Sequence, residues 1–337
     1  MNYPPPNFDH LLSMIGPFGI FEHAEHDRAR TEHGYCVDDV ARVLLVAARE
    51  VEPTAGVVKL ARVAMSFLEE SQSEHGTFKN RRSTSGHFLG KGTDEDCWGR
   101  AVWALGVAAS RFGDQEIRRR ASALLARSLN VRSPWPRSMA FATLGAVEVI
   151  GAAKVDREAL ALVRDAASIL DRPVLGSGWE WPEERLSYAN AVLPEALMVA
   201  GSALDDHRLV ELGLTQLRWL LALETKAGHL SVTSSKGRHR TSDEEFFDQQ
   251  PIEVAALCDA CARAWQLTGD ANWSRGIELA AQWFLGKNDV GSVMFDPLTG
   301  GGYDGLTARG PNLNRGAEST LALLATLQTA RQLELVP

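Results

Sequence analysis

His33-Gly34-Tyr35-Cys36-Val37-Asp38-Asp39-Val40-Ala41-Arg42 passes abruptly from a polar loop into an apolar helix. Two acids stand where the helix begins, a place that suits the positive end of its dipole. The next seven residues are almost all Val, Leu and Ala. Five later stretches repeat this plan: Gly92-Thr93-Asp94-Glu95-Asp96, Ser133-Pro134-Trp135-Pro136-Arg137, Ser187-Tyr188-Ala189-Asn190, Asp248-Gln249-Gln250-Pro251 and Asn312-Leu313-Asn314-Arg315-Gly316. Each is a polar opening followed by a long apolar helix, and the openings stand roughly 40 to 65 residues apart. That interval holds two helices and two loops.

The intervening helices are amphipathic, at about residues 54–72, 114–129, 156–170, 206–223 and 272–285, with Arg, Glu and Asp on their polar faces. Such helices suit an outer ring meeting water. The helices after the openings, for example 101–109, 139–150 and 317–327, are apolar on nearly every side, which suits a buried inner ring. A short helix at 8–14 pairs with the last inner helix and closes the circle. The expected fold is all-α, an (α/α)6 toroid, with residues 1–337 as one domain. Strand-like sequence is limited to short pieces, 228–232 being the best. An open superhelix would call for more regular repeats and amphipathic caps.

The chain has 337 residues, 45% of them hydrophobic and 23% charged, and a formal net charge of −8. Acidity argues against nucleic acid as a partner, because phosphate binding calls for a basic face. Residues 1–6 carry no basic and apolar leader, and no apolar run reaches the roughly 18 residues of a membrane span. A cytoplasmic location is expected. Cys258 and Cys261 form a C-x-x-C, but inside a helical stretch and without a second Cys or His pair, so they are assigned to the core. No cofactor and no metal is expected.

In a closed ring the inner helices run in one direction, and their openings meet in one cleft. Any one of Asp38, Asp94, Asp96 or Asn190 is also explained as a helix cap. Six openings bearing acids, amides, Arg and aromatics point to polyhydroxylated substrate, since sugar rings stack on aromatics and their hydroxyls meet polar groups. Trp179 and Trp181 flank Glu180 in a loop, and Tyr35, Trp135, Tyr188, Asn190, Gln250, Asn314 and Arg315 lie in or beside the openings. All are candidate substrate contacts, with His23, His26 and Arg28 as further loop candidates. Trp103, Trp219, Trp265 and Trp283 sit within helices and are read as core. Adjacent helical positions point about 100° apart, so only one of Asp38 and Asp39 should face the cleft. A magnesium-diphosphate site of the terpene-cyclase kind does not fit, since position 42 is Arg. Glu253, just after Pro251 and among Phe246, Phe247 and amides, is a candidate for a raised pKa. Glu195 and Glu318 hold matching places and serve equally well as buried hydrogen-bonding partners.

Gly19-Ile20-Phe21-Glu22-His23-Ala24, the segment 34–42 and Asn314-Arg315-Gly316-Ala317-Glu318-Ser319-Thr320 resemble a family of (α/α)6 glycoside hydrolases of bacterial polysaccharide pathways, the mycobacterial methylmannose polysaccharide hydrolases among them. The resemblance runs from about residue 10 to 327. It implies a cytoplasmic, inverting, endo-acting hydrolase of α-(1→4)-linked, partly 3-O-methylated mannan. Carried onto matching positions, it implies Asp38 and Glu253 as catalytic acids, with Asp39 and Glu95 as rivals. Inversion requires two carboxyls about 6.5–9.5 Å apart, which favours distant segments; Glu253 would be the acid and Asp38 the base. An epimerase using paired histidines for proton transfer and a non-catalytic glycan-binding accessory are the alternatives.

Overall fold

The computed structural model describes residues 3–151, 156–176, 178–241 and 246–334. Twelve helices lie among them: α1 (Asp9–Ser13), α2 (Val37–Arg49), α3 (Ala55–Ser71), α4 (Asp96–Arg111), α5 (Gln115–Ser128), α6 (Pro136–Val147), α7 (Asp156–Leu170), α8 (Val192–Leu204), α9 (His207–Leu223), α10 (Pro251–Thr268), α11 (Ala271–Phe284) and α12 (Ala317–Glu334). Helices α2, α4, α6, α8, α10 and α12 each pack on the next, and α12 packs back on α2. The ring is therefore closed, and the fold is an (α/α)6 toroid. Each of α3, α5, α7, α9 and α11 packs outside an inner neighbour, and α1 packs on α12 as expected.

The inner helices other than α10 bury nearly every residue of their middle turns, whereas outer helices such as α5 bury one stripe, Ile117, Ala121, Leu124 and Leu125. Inner neighbours approach closely where glycine removes the side chain. A Cβ on Gly106 of α4 would lie 2.1 Å from the Gly145 carbonyl of α6. Cys258 and Cys261 are free and fully buried, as core residues.

Capping divides the two rings. Thr54, Asp114, Asp206 and Asp270 cap α3, α5, α9 and α11 with side-chain oxygens. The starts of α2, α4, α6, α8 and α10 have no side-chain cap. The polar residues of the inner openings are thus spared from capping, and the positive ends of these helices converge on one face.

Connections on that face are long and carry the short strands. Tyr35–Cys36, Arg81–Arg82 and Phe88–Leu89 form a three-stranded sheet. Arg185–Leu186 pairs with Arg238–His239, and Gly305–Thr307 with Gly310–Asn312. The strand-like stretch at 228–232 contributes only His229–Leu230, paired with Thr225–Lys226. On the opposite face α8 and α9 are joined through Asp205 and Asp206 alone, and α10 and α11 through Gly269 and Asp270.

Candidate active site

A cleft of about 570 Å³ opens at the inner helix starts, lined by Glu22, His23, Cys36, Asp38, Asp39, Arg42, Asp96, Arg100, Tyr188, Gln250, Ile252, Asp304, Asn312, Gly316, Glu318 and Ser319. Six carboxyls and two guanidiniums dominate it. A smaller, apolar cavity continues beneath it into the barrel, past Trp103 and Phe141.

Asp38 stands in the first turn of α2. Its Oδ2 accepts from Asn80 Nδ2 at 2.9 Å, and its Oδ1 lies 3.4 Å from Arg100 Nε without hydrogen-bonding geometry. Asp39 is buried beside it, accepting from Arg42 Nη1 at 2.7 Å and from the Cys36 thiol at 3.2 Å. Both aspartates line the cleft, against the expectation that only one would. Burial pushes Asp39 up to about 7, although the Arg42 guanidinium opposes it. Arg42 also pairs with Glu318 of α12 at 2.8 Å. Burial pushes Glu318 up, but Arg42 and then Arg100 outweigh it and hold that carboxyl below its ordinary value.

Asp304 precedes the Gly305–Asn312 hairpin. Its Oδ1 accepts from the Gly316 N–H at 2.7 Å and the Ser319 hydroxyl at 2.9 Å, which leaves Oδ2 without a protein partner among the described residues. Burial raises its pKa, outweighing those two donors. Asp96 accepts from Ser138 Oγ at 2.9 Å. Burial, then the nearby Asp96 carboxyl, raises the pKa of Tyr188.

Several expected contacts lie elsewhere. Glu253 does not line the cleft; its carboxylate accepts from the backbone N–H of Ala189 and Asn190 and from Asn190 Nδ2. It latches α10 to the turn before α8, where Ala189 adopts a φ of 45°. Burial raises its pKa, against those donors. Asn190 is fully buried, its Oδ1 held by Arg137 Nη2 and the Ser187 N–H. Trp181 is fully buried and stacks on Trp219, and Trp179 meets the same ring edge-on, so these two are core side chains. Tyr35 is buried against Phe21 and Phe67. Arg315 pairs with Asp296 and lies over Tyr303, and Asn314 Oδ1 accepts from the His26 N–H. Glu95 is exposed at the start of α4, outside the cleft lining.

Of the expected contacts, Tyr188 and Gln250 line the cleft, His23 does so among the loop candidates, and Trp135 is 57% exposed at the start of α6. Glu22, Arg42, Arg100 and Asp304 were not anticipated. For Asp304 a signal existed: the glycine-rich run 300–305 marks close backbone approach.

Glu22, Cys36 and Asp39 bring one potential ligand atom each within 4.8 Å of one another. Arg81 and Arg42 pair with the two carboxylates, the Cys36 thiol donates to Asp39, and burial pushes the pKa of that thiol well up. No helix of the described residues is long and apolar enough to cross a membrane.

No protein-family model matches the chain, and no curated protein matches it. Solved structures do. A cellobiose 2-epimerase from Spirochaeta thermophila superposes with a TM-score of 0.72 at 13% identity, covering 98% of this chain and 94% of that one. A D-mannose isomerase gives 0.66 at 12% identity, covering 96% and 95%. A family 76 α-mannanase of Bacteroides thetaiotaomicron gives 0.65 at 11% identity, covering 98% and 93%. At such identities the likeness is one of fold, shared with sugar-processing (α/α)6 enzymes.

Proposed function

We propose that the chain is an inverting glycoside hydrolase acting within α-(1→4)-linked, partly 3-O-methylated mannan, with Asp38 as base and Asp304 as acid. One observation carries the reading: the cleft acids divide into two kinds. Asp38 and Glu318 each stand beside a guanidinium, and Arg42 and Arg100 hold Glu318 below its ordinary value, while burial favours the protonated form of Asp304, whose Oδ2 has no protein partner among the described residues. Carboxyls whose surroundings push their proton affinities apart are what acid–base hydrolysis uses. Asp304 would protonate the departing glycosidic oxygen while Asp38 takes a proton from the attacking water. The product anomer would then be opposite to the substrate linkage. Asp304 takes the place that the sequence suggested for Glu253, whose oxygens are spent on N–H donors.

The test is incubation with α- and β-linked mannans and glucans, followed by early proton NMR of the products. Release of a β-anomer from an α-mannan is expected, with loss of turnover in Asp38→Asn and Asp304→Asn. Initial α-anomer, or full activity in both variants, would overturn the assignment. If the variants change glycan affinity and no member of the panel is cleaved, the chain is a binding accessory.

A second reading rests on His23, which lines the cleft with its ring 4.9 Å from and perpendicular to that of His33. Paired imidazoles suit proton transfer in a sugar epimerase or isomerase. Conversion of a free reducing sugar to its epimer, abolished by His23→Gln, would select it.

A further inference from the structure

We propose that Arg100 grips the substrate, holding in its guanidinium fork two neighbouring hydroxyls of one neutral sugar ring that carries no 3-O-methyl group. This rests on the carbohydrate reading of the cleft and names what that cleft selects. Arg100 rises from the second turn of α4, is 6% exposed and lines the cleft. No protein acceptor among the described residues takes a hydrogen bond from it, and its Nε is buried without a partner. Arg42, the other guanidinium lining the cleft, is engaged by Asp39 and Glu318. Of its nitrogens only Nε is shut off from solvent, so an oxygen-bearing ligand in the cleft can supply acceptors to Nη1 and Nη2.

The fork is also held in position. The Phe141 ring lies 4.1 Å from the guanidinium carbon and stacks against the guanidinium. A rigid planar fork matches two oxygens side by side, as in a carboxylate, a phosphate or a vicinal diol. The surroundings choose among them. Glu22, Asp38, Asp96 and Glu318 share the cleft, so an anionic ligand meets like charge and a neutral diol does not. Asp38 Oδ1, 3.4 Å from Arg100 Nε, is likewise buried without a hydrogen-bond partner. Hydroxyls accept and donate together, so a diol that gives its lone pairs to the arginine can still donate to the acids around it.

The test follows the Arg100 Nε–Hε signal by NMR during titration with methyl α-D-mannopyranoside and methyl α-D-glucopyranoside, their 3-deoxy counterparts, and methyl α-D-glucuronoside. Position 3 belongs to every vicinal pair of secondary hydroxyls on these rings, so its removal breaks any such diol. At least one parent glycoside is expected to move the signal, with its 3-deoxy form binding at least about ten-fold more weakly. Arg100→Lys, which keeps the charge and loses the fork, is expected to weaken the parent about equally. The inference is overturned if neither parent moves the signal, if the 3-deoxy form binds as well, or if the glucuronoside binds best. Because the readout is binding, failure of the hydrolase reading shows separately, as binding without turnover. The deoxy comparison on the unmodified protein stands even if Arg100→Lys folds poorly.

Discussion

Arg42 of α2 and Glu318 of α12 form a 2.8 Å ion pair across the seam where the ring of inner helices closes. The same guanidinium holds buried Asp39, so one side chain joins the first inner helix to the last at the edge of the cleft. Replacing it by leucine leaves Asp39 and Glu318 without their cation. The cost falls on buried Asp39 more than on the partly exposed Glu318. Losing one partner of a buried pair costs about 3–5 kcal/mol, and Arg42→Leu is expected to lower the urea midpoint accordingly. An unchanged midpoint would show that the seam is held by apolar packing alone.

Glu253→Gln separates latch from catalyst. The carboxylate accepts from three N–H groups, and an amide turns a donor toward at least one of them. A stability loss of about 1–3 kcal/mol is expected, read by denaturant unfolding, with activity per folded molecule retained. A fully folded variant without turnover would return Glu253 to the list of catalytic groups.

Asp304→Asn keeps the shape and the acceptor for Gly316 and Ser319 but carries no proton to give. Turnover is expected to fall by about 10²–10⁴-fold with folding intact, and the fall should shrink for substrates with better leaving groups, which need less protonation. An equal fall for all leaving groups would count against an acid role.

Three buried acids make stability depend on pH in a defined direction. Burial raises Glu195 and Glu224 from 4.5 to about 8, and Asp39 from 3.8 to about 7. Between those limits the folded chain keeps protons that the unfolded chain has released. Their contribution is therefore fully favourable below about pH 4 and is lost progressively as pH rises to 8. Glu195→Gln stays neutral throughout and should flatten the decline of the melting temperature between pH 5 and 8. An unchanged slope would show that Glu195 is ionised in the fold.

The paired-helix ring was legible because burial on all sides and burial on one side leave different patterns along the chain. The outer helix expected at 54–72 is Ala55–Ser71, and that at 206–223 is His207–Leu223. The cleft was legible in place but not in membership. Asp38 and Asp39 both reach it because Arg42 draws the second aspartate toward the seam. Glu253 looked catalytic beside Pro251 and two phenylalanines, yet its fate is set by Asn190, which no local pattern connects to it. Trp181 sits in a loop by sequence and in the core by structure, where Trp219 of α9 receives it. Asp304 was passed over because it opens a hairpin instead of a helix, and only the fold brings Gly316 and Ser319 to its carboxyl.

The closing seam also sets a timetable. Arg42 leaves the ribosome long before Glu318 exists; at about 5–20 residues per second the interval is roughly 14 to 55 seconds. Through that time the side of α2 that α12 covers has no partner to bury it. The ring cannot close until the last inner helix has been made. Slow translation of the last inner helix would lengthen that exposure, and chaperones that bind apolar surfaces should act on this protein chiefly before residues 317–334 have docked.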